Sequence, residues 1–270
     1  YGDVPFLLKA PEKEYLGMIS QGYFGVKVLD KLWVDFGYMG NPIGLESTQT
    51  NKNLLTSVTV GGYCQPDNIL GVKATWYASD VLTASIQLYN TYGIITTKFL
   101  NKYLGLSLDY YPADNFDLCY NIAFTNFGLE GESDYFQMYN NFCLTWALFD
   151  KLDINAQLDY AFQTNSKISD TTATAFLSSG FLGFRYHILP KLSISARGEF
   201  YYDPDGIISK GIVGGYDHLN TWGLAVGLQY NPFMKFFIRG EIQFLKADQG
   251  IFYNCKDYRN SVMFSTGLEL

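Results

Sequence analysis

The sequence has no long apolar run. With glycine counted as apolar, its longest stretch is about seven residues, Trp222 to Leu228, against the roughly 18 to 20 that a transmembrane helix needs. A helical membrane protein is therefore excluded. Basic charge is also scarce: 19 Lys and Arg face 26 Asp and Glu, a net charge of -7, with no lysine or arginine run. A nucleic-acid partner would require a basic patch to neutralise phosphates, so that class is excluded too. Cysteine and histidine are few. Cys64, Cys119, Cys143 and Cys255 show no Cys-x-x-Cys spacing, and His187 and His218 lie far apart, which argues against a zinc site. The opening Tyr1-Gly-Asp-Val-Pro5 lacks a charged segment followed by an apolar run, as expected of a cytosolic chain or of a mature form.

What the chain has in abundance is aromatic residues, 22 Tyr and 21 Phe, and 26 Gly spread along its length. Disorder is incompatible with that composition. The pattern is strict alternation. Leu152, Ile154, Ala156, Leu158, Tyr160 and Phe162 fall on one face, opposite Asp153, Asn155, Gln157, Asp159 and Gln163. The same period recurs over strands predicted at about 15–29, 32–39, 69–78, 82–91, 102–111, 116–127, 135–149, 152–164, 173–187, 192–202, 219–230, 235–246 and 261–270. Most of these run ten residues or more. Soluble strands average about five or six residues, whereas a tilted strand crossing a bilayer needs about nine to eleven.

The connections alternate between tight and long. Tight ones include Leu29-Asp-Lys-Leu32, Phe149-Asp-Lys-Leu152 and His187-Ile-Leu-Pro-Lys-Leu192, and long ones lie near 40–68, 92–101, 128–134, 165–172, 203–218 and 247–260. Short periplasmic turns and longer extracellular loops describe a transmembrane antiparallel up-and-down β-barrel in a bacterial outer membrane, one all-β domain over 1–270. Closure is physically required, because a free sheet edge in lipid leaves N–H and C=O groups unpaired. Bulky apolar residues then face lipid, and the polar set lines a lumen. Bacterial single-chain barrels have an even strand number, so thirteen segments imply about 14 strands, with one more either within residues 1–14 or lost from this chain, or 12 if two of them merge or fold into a loop.

The passage Leu32-Trp-Val-Asp-Phe-Gly-Tyr-Met-Gly-Asn-Pro-Ile-Gly-Leu-Glu46, with Asn53, Ser57 and the Leu70-Gly-Val-Lys-Ala-Thr75 strand start, resembles the β-barrel porin-2, OmpL-like family of Gram-negative outer membranes. The resemblance extends more weakly to Leu88-Tyr-Asn90 and the strand rhythm beyond it. The chain departs from the family's pattern in being shorter and in ending Thr266-Gly-Leu-Glu-Leu270, without a terminal aromatic. What the resemblance implies is passive diffusion of small hydrophilic solutes or ions, with no cofactor.

The charges expected to line the pore are Lys27, Asp35, Lys73, Asp109, Asp117, Asp153, Asp159, Arg185, Arg197, Glu199, Arg239 and Glu241. Four aspartates precede three arginines, so an acidic wall facing a more basic one would set a transverse field in the lumen. The alternative is that these charges keep the lumen wet, or pair along a strand as Arg197 with Glu199 or Arg239 with Glu241. The 40–68 connection is either a loop folded into the mouth as a constriction or a solvated surface loop. Ile43, Leu45, Leu54, Leu55, Val58 and Val60 want cover, which favours the first. Cys119 and Cys143 lie equally far from Gly131 and share the inward parity, so the hairpin places them opposite each other as a candidate disulfide.

Two other functions fit such a barrel. A structural or surface-antigen barrel without an open pore has the same sequence features. An outer-membrane hydrolase needs a histidine within reach of a nucleophile, and His187 falls in a periplasmic turn while His218, beside Asp217, has no identifiable nucleophile. No catalytic residue is assigned. The partners expected are outer-membrane lipid and lipopolysaccharide, small solutes or ions and, as an option left open, further copies of the chain.

Overall fold

The computed structural model describes residues 21–47, 49–65, 68–90, 102–127, 135–211, 216–233 and 235–268. Thirteen strands form one antiparallel sheet in which each strand pairs with its neighbours in chain order. They are β1 (Gly22–Leu29), β2 (Leu32–Gly40), β3 (Asn68–Ser79), β4 (Leu82–Tyr89), β5 (Tyr103–Ala113), β6 (Phe116–Phe127), β7 (Tyr135–Leu148), β8 (Leu152–Gln163), β9 (Ala175–Leu189), β10 (Leu192–Asp203), β11 (Leu219–Phe233), β12 (Phe236–Ala247) and β13 (Tyr258–Leu268). Every segment read from alternation is therefore a strand. The additional strand expected within residues 1–14 lies outside the described residues.

Alternation produces these strands because one face is apolar and the other polar, and a slip of one residue would exchange them. The sense of the exchange is opposite to that of a soluble protein. Leu158 is 54% exposed and Ile242 65%, whereas Asp159 and Arg239 are each 1% exposed. Apolar side chains face out and charged ones face in.

Three turns differ from their sequence reading by two or three residues. The alternation ends strands at 111, 187 and 230, but β5 runs to Ala113, β9 to Leu189 and β11 to Phe233. Pro112 and Pro232 read as turn residues, yet both sit where the register shifts, between Tyr110 and Ala113 and between Tyr230 and Phe233. A bulge leaves a residue outside the hydrogen-bond ladder, which is where a residue without an N–H fits a strand. His187 is accordingly a strand residue opposite Ser193, not a turn residue.

By compactness the chain divides into two units. The first comprises 1–44, 65–142 and 160–176, the second 45–64, 143–159 and 177–270. The inward face of the first unit is mainly neutral and polar. Tyr103 stacks on Tyr89 with centroids 5.3 Å apart and donates its hydroxyl to Gln137 Oε1 at 2.7 Å. Gln137 Nε2 in turn donates to Gln163 Oε1 at 3.0 Å. In the second unit the inward face of β8 to β12 carries arginines and glutamates, and the segment 45–64 packs on it.

Candidate functional site: an inner strap on a charged wall

Segment 45–64 is held by its backbone. Glu241 of β12 accepts the N–H groups of Thr56 at 2.6 Å and Ser57 at 3.1 Å, together with the Ser57 hydroxyl. Glu199 of β10 accepts the Val60 N–H at 2.8 Å. The arginines take the carbonyls. Arg185 donates to Asn53 O at 2.9 Å and Leu54 O at 2.8 Å, Arg239 to Thr50 O at 3.1 Å and Asn53 O at 3.3 Å, and Arg197 to Ser57 O at 2.6 Å. A buried segment without sheet partners leaves its main-chain groups unsatisfied unless side chains supply them, and charge-assisted bonds are the strong kind. The wall thus reads the strap's main chain through both donors and acceptors.

Apolar fit completes the attachment. Leu55 is fully buried and Leu54 nearly so. A Cβ built on Gly227 would come within 2.6 Å of Leu55 Cδ2, and one on Gly183 within 2.8 Å of Leu54 Cδ1. The two wall glycines leave the hollows that these leucines fill.

One ion pair joins strap and wall directly. Glu46 accepts from Arg197 Nη1 at 2.8 Å, and from the Thr59 N–H at 2.7 Å and the Thr59 hydroxyl. Burial pushes the Glu46 carboxyl above the ordinary carboxylate value, against the opposing pull of Arg197. Arg197 is closed on its other side by Glu199 at 3.2 Å.

The twelve charges expected in the pore fall into separate groups. In the first unit Asp35 and Lys73 are direct register partners with Nζ 3.7 Å from the carboxylate, while Lys27, exposed on β1, pairs with Asp30 of the following turn at 3.2 Å. Asp109 is half-buried and Asp117 exposed, on adjacent strands. In the second unit Asp153 meets His187 Nε2 at 2.9 Å, and Asp159 accepts from Gln157 at 2.8 Å and Ser179 at 2.9 Å. Arg197 and Glu199 pair along their strand, the alternative that sequence had offered. Glu241 instead serves the strap. Period two brings Glu199 and Glu241 onto the same face as Arg185, Arg197 and Arg239, so the wall expected to be the more basic carries both signs. Sequence reading missed the role of Glu46, Asn53 and Ser57, although they are among the residues that carry the family resemblance.

No disulfide joins Cys119, which is half-buried, to Cys143, which is buried, so the candidate bond is absent from this structure. Asn121 Nδ2 donates to Asn141 Oδ1 at 2.9 Å, a pair with the same equal offset from position 131 as Cys119 and Cys143. His218 Nε2 lies 3.3 Å from Asp248 Oδ2, while Asp217 pairs with Lys210 at 3.0 Å. Among the described residues no group of three His, Cys, Asp or Glu is placed to hold a metal.

An apolar-out, polar-in sheet of membrane-length strands, antiparallel in chain order with short turns and long loops, defines a transmembrane up-and-down β-barrel of the porin class, resident in the bacterial outer membrane. The solved structures agree. The outer membrane channel DcaP of Acinetobacter baumannii superposes with a TM-score of 0.63 at 12% identity, covering 91% of this chain and 83% of that one. OmpT of Vibrio cholerae gives 0.60 at 10% identity over 92% and 80%, and an anion-selective porin from Comamonas acidovorans 0.59 at 11% over 92% and 74%. At such identities the likeness concerns the fold. Among curated proteins none matches the chain. The family model described as "Putative beta-barrel porin-2, OmpL-like" matches residues 1–269, and the chain belongs to that family. It is an outer-membrane porin.

Proposed function

We infer that the protein conducts small hydrophilic solutes or ions by passive diffusion through a lumen lined by the twelve inward charges and narrowed by the 40–68 connection. The observation that carries this reading is the strap. Residues 45–64 lie on the polar inner face, bonded to strands β9, β10 and β12, instead of projecting as a surface loop. A segment fixed inside a polar-walled barrel narrows the passage without closing it by a helix or a separate domain, and the charged groups it leaves accessible tune what passes. Outer-membrane lipid, lipopolysaccharide and the solutes are the partners that this function needs. Association with further copies of the chain is not required by it.

Swelling of liposomes that contain the purified protein, measured in sugars of graded size, tests the reading. The expected result is uptake of the smallest sugars only, with the size limit raised when residues 46–62 are replaced by a short Gly-Ser linker. No uptake by either protein, both shown to be inserted, favours a structural barrel, and an unchanged size limit places the constriction elsewhere.

A further inference from the structure

The charges of the second unit are not equally compensated. Arg197 forms two ion pairs, with Glu46 and Glu199. Among the described residues Arg185 and Arg239 form none within 4.0 Å. They are held by neutral groups instead: Arg185 Nε by the Ser195 hydroxyl at 3.3 Å, Arg239 Nε and Nη2 by Gln229 Oε1 at 2.9 and 2.6 Å, and both by strap carbonyls. Both reach the same oxygen, Asn53 O, at 2.9 and 3.3 Å, so their Nη2 atoms lie within about 6 Å of each other, a separation at which like charges repel unless a counter-charge is near. Asp153 acts electrostatically on Arg185 and Glu241 on Arg239, but neither carboxylate comes within 4.0 Å of its arginine and both are bonded elsewhere. Asp153 is bonded to His187, and Glu241 gives its oxygens to Thr56 and Ser57 of the strap. Arg239 is buried, whereas Arg185 is half-buried, and no hydrogen bond occupies its Nη1 among the described residues. Arg185 stands four residues before the end of β9 and Arg239 three after the start of β12, so both lie toward the short-turn end of the unit.

We propose that Arg185 and Arg239 form an anion-binding step of the pore, which makes it selective for small anions, with chloride as the simplest permeant and carboxylates and phosphates as the anions held most tightly. Arg239 supplies a fixed buried charge, and Arg185 presents the planar N–H edge that an oxyanion accepts. The strap orders both side chains through Thr50, Asn53 and Leu54 and so pre-forms the step. The proposal rests on the diffusion-channel reading and adds the sign and chemistry of what passes.

Single channels in a planar bilayer under a KCl gradient test it. The wild type is expected to give a reversal potential on the chloride side and a current reduced by millimolar inorganic phosphate. Arg185→Gln, half-exposed and so least disruptive, should lower the chloride-to-potassium permeability ratio several-fold and weaken phosphate block. Arg185→Gln with Arg239→Gln should carry the ratio below one, and Arg185→Lys should retain chloride preference. Channels that prefer potassium in the wild type, or that keep their ratio and block in Arg185→Gln, overturn the anion step while leaving the pore intact. Correctly inserted protein without current overturns the channel reading and the anion step with it.

Discussion

At the scale of the residue, Glu46 is where a single proton matters most. Its carboxyl is buried between Arg197 and Thr59, and burial raises its pKa above the ordinary 4.5. A raised carboxylate pKa means that the folded protein binds this proton more tightly than the unfolded chain does. Its contribution to stability is therefore fully present below pH 4.5 and lost as pH rises through the higher folded value. Glu46→Gln removes that dependence. Thermal unfolding measured between pH 4 and 8 should show the wild type losing ground to the variant as pH rises, and a slope of opposite sign would contradict the assignment. Arg197 behaves differently. Truncating one member of a buried ionic group leaves an uncompensated charge, so Arg197→Gln should destabilise by about 3 to 5 kcal/mol. Denaturation with and without the additional Glu199→Gln change checks this, because removing the stranded carboxylate should restore part of the loss.

At the scale of the element, facing decides tolerance. Leu158 is exposed on β8 and Asn155 lies on the opposite face, so Leu158→Arg should cost roughly 2 to 4 kcal/mol near the bilayer midplane while Asn155→Arg folds. Equal refolding yields into detergent or lipid for the two variants would contradict the assigned facing. The strands were legible because alternation is a local signal renewed every second residue, and Asp153 to Gln163 alone assigns both faces of β8. Strand ends were less so. Pro112 and Pro232 carry the usual mark of a turn, and only the register shift reveals that a bulge accommodates them. The strap's partners were not legible at all. Thr56 and Ser57 meet Glu241 across more than 180 positions, Asn53 meets Arg185 across 132, and most of these bonds use main-chain groups that have no sequence signature. Only the need of Leu54 and Leu55 for cover pointed inward, and the hollows that receive them are glycines, Gly183 and Gly227, whose role depends on what approaches them.

At the scale of the whole molecule, the apolar-out arrangement follows from one physical requirement, that lipid cannot satisfy main-chain hydrogen bonds and a sheet in lipid must satisfy its own. The polar face enclosed by such a sheet is wet, and the strap lies on that face, bonded to its arginines and glutamates. The central claim is conduction, and single-channel recording of the purified protein in a planar bilayer tests it most directly. Stepwise openings of uniform size, with larger steps when the strap is replaced by a linker, are the predicted result. A protein that inserts, migrates faster unboiled than boiled in SDS gels as a closed barrel does, and yet passes no current would contradict it.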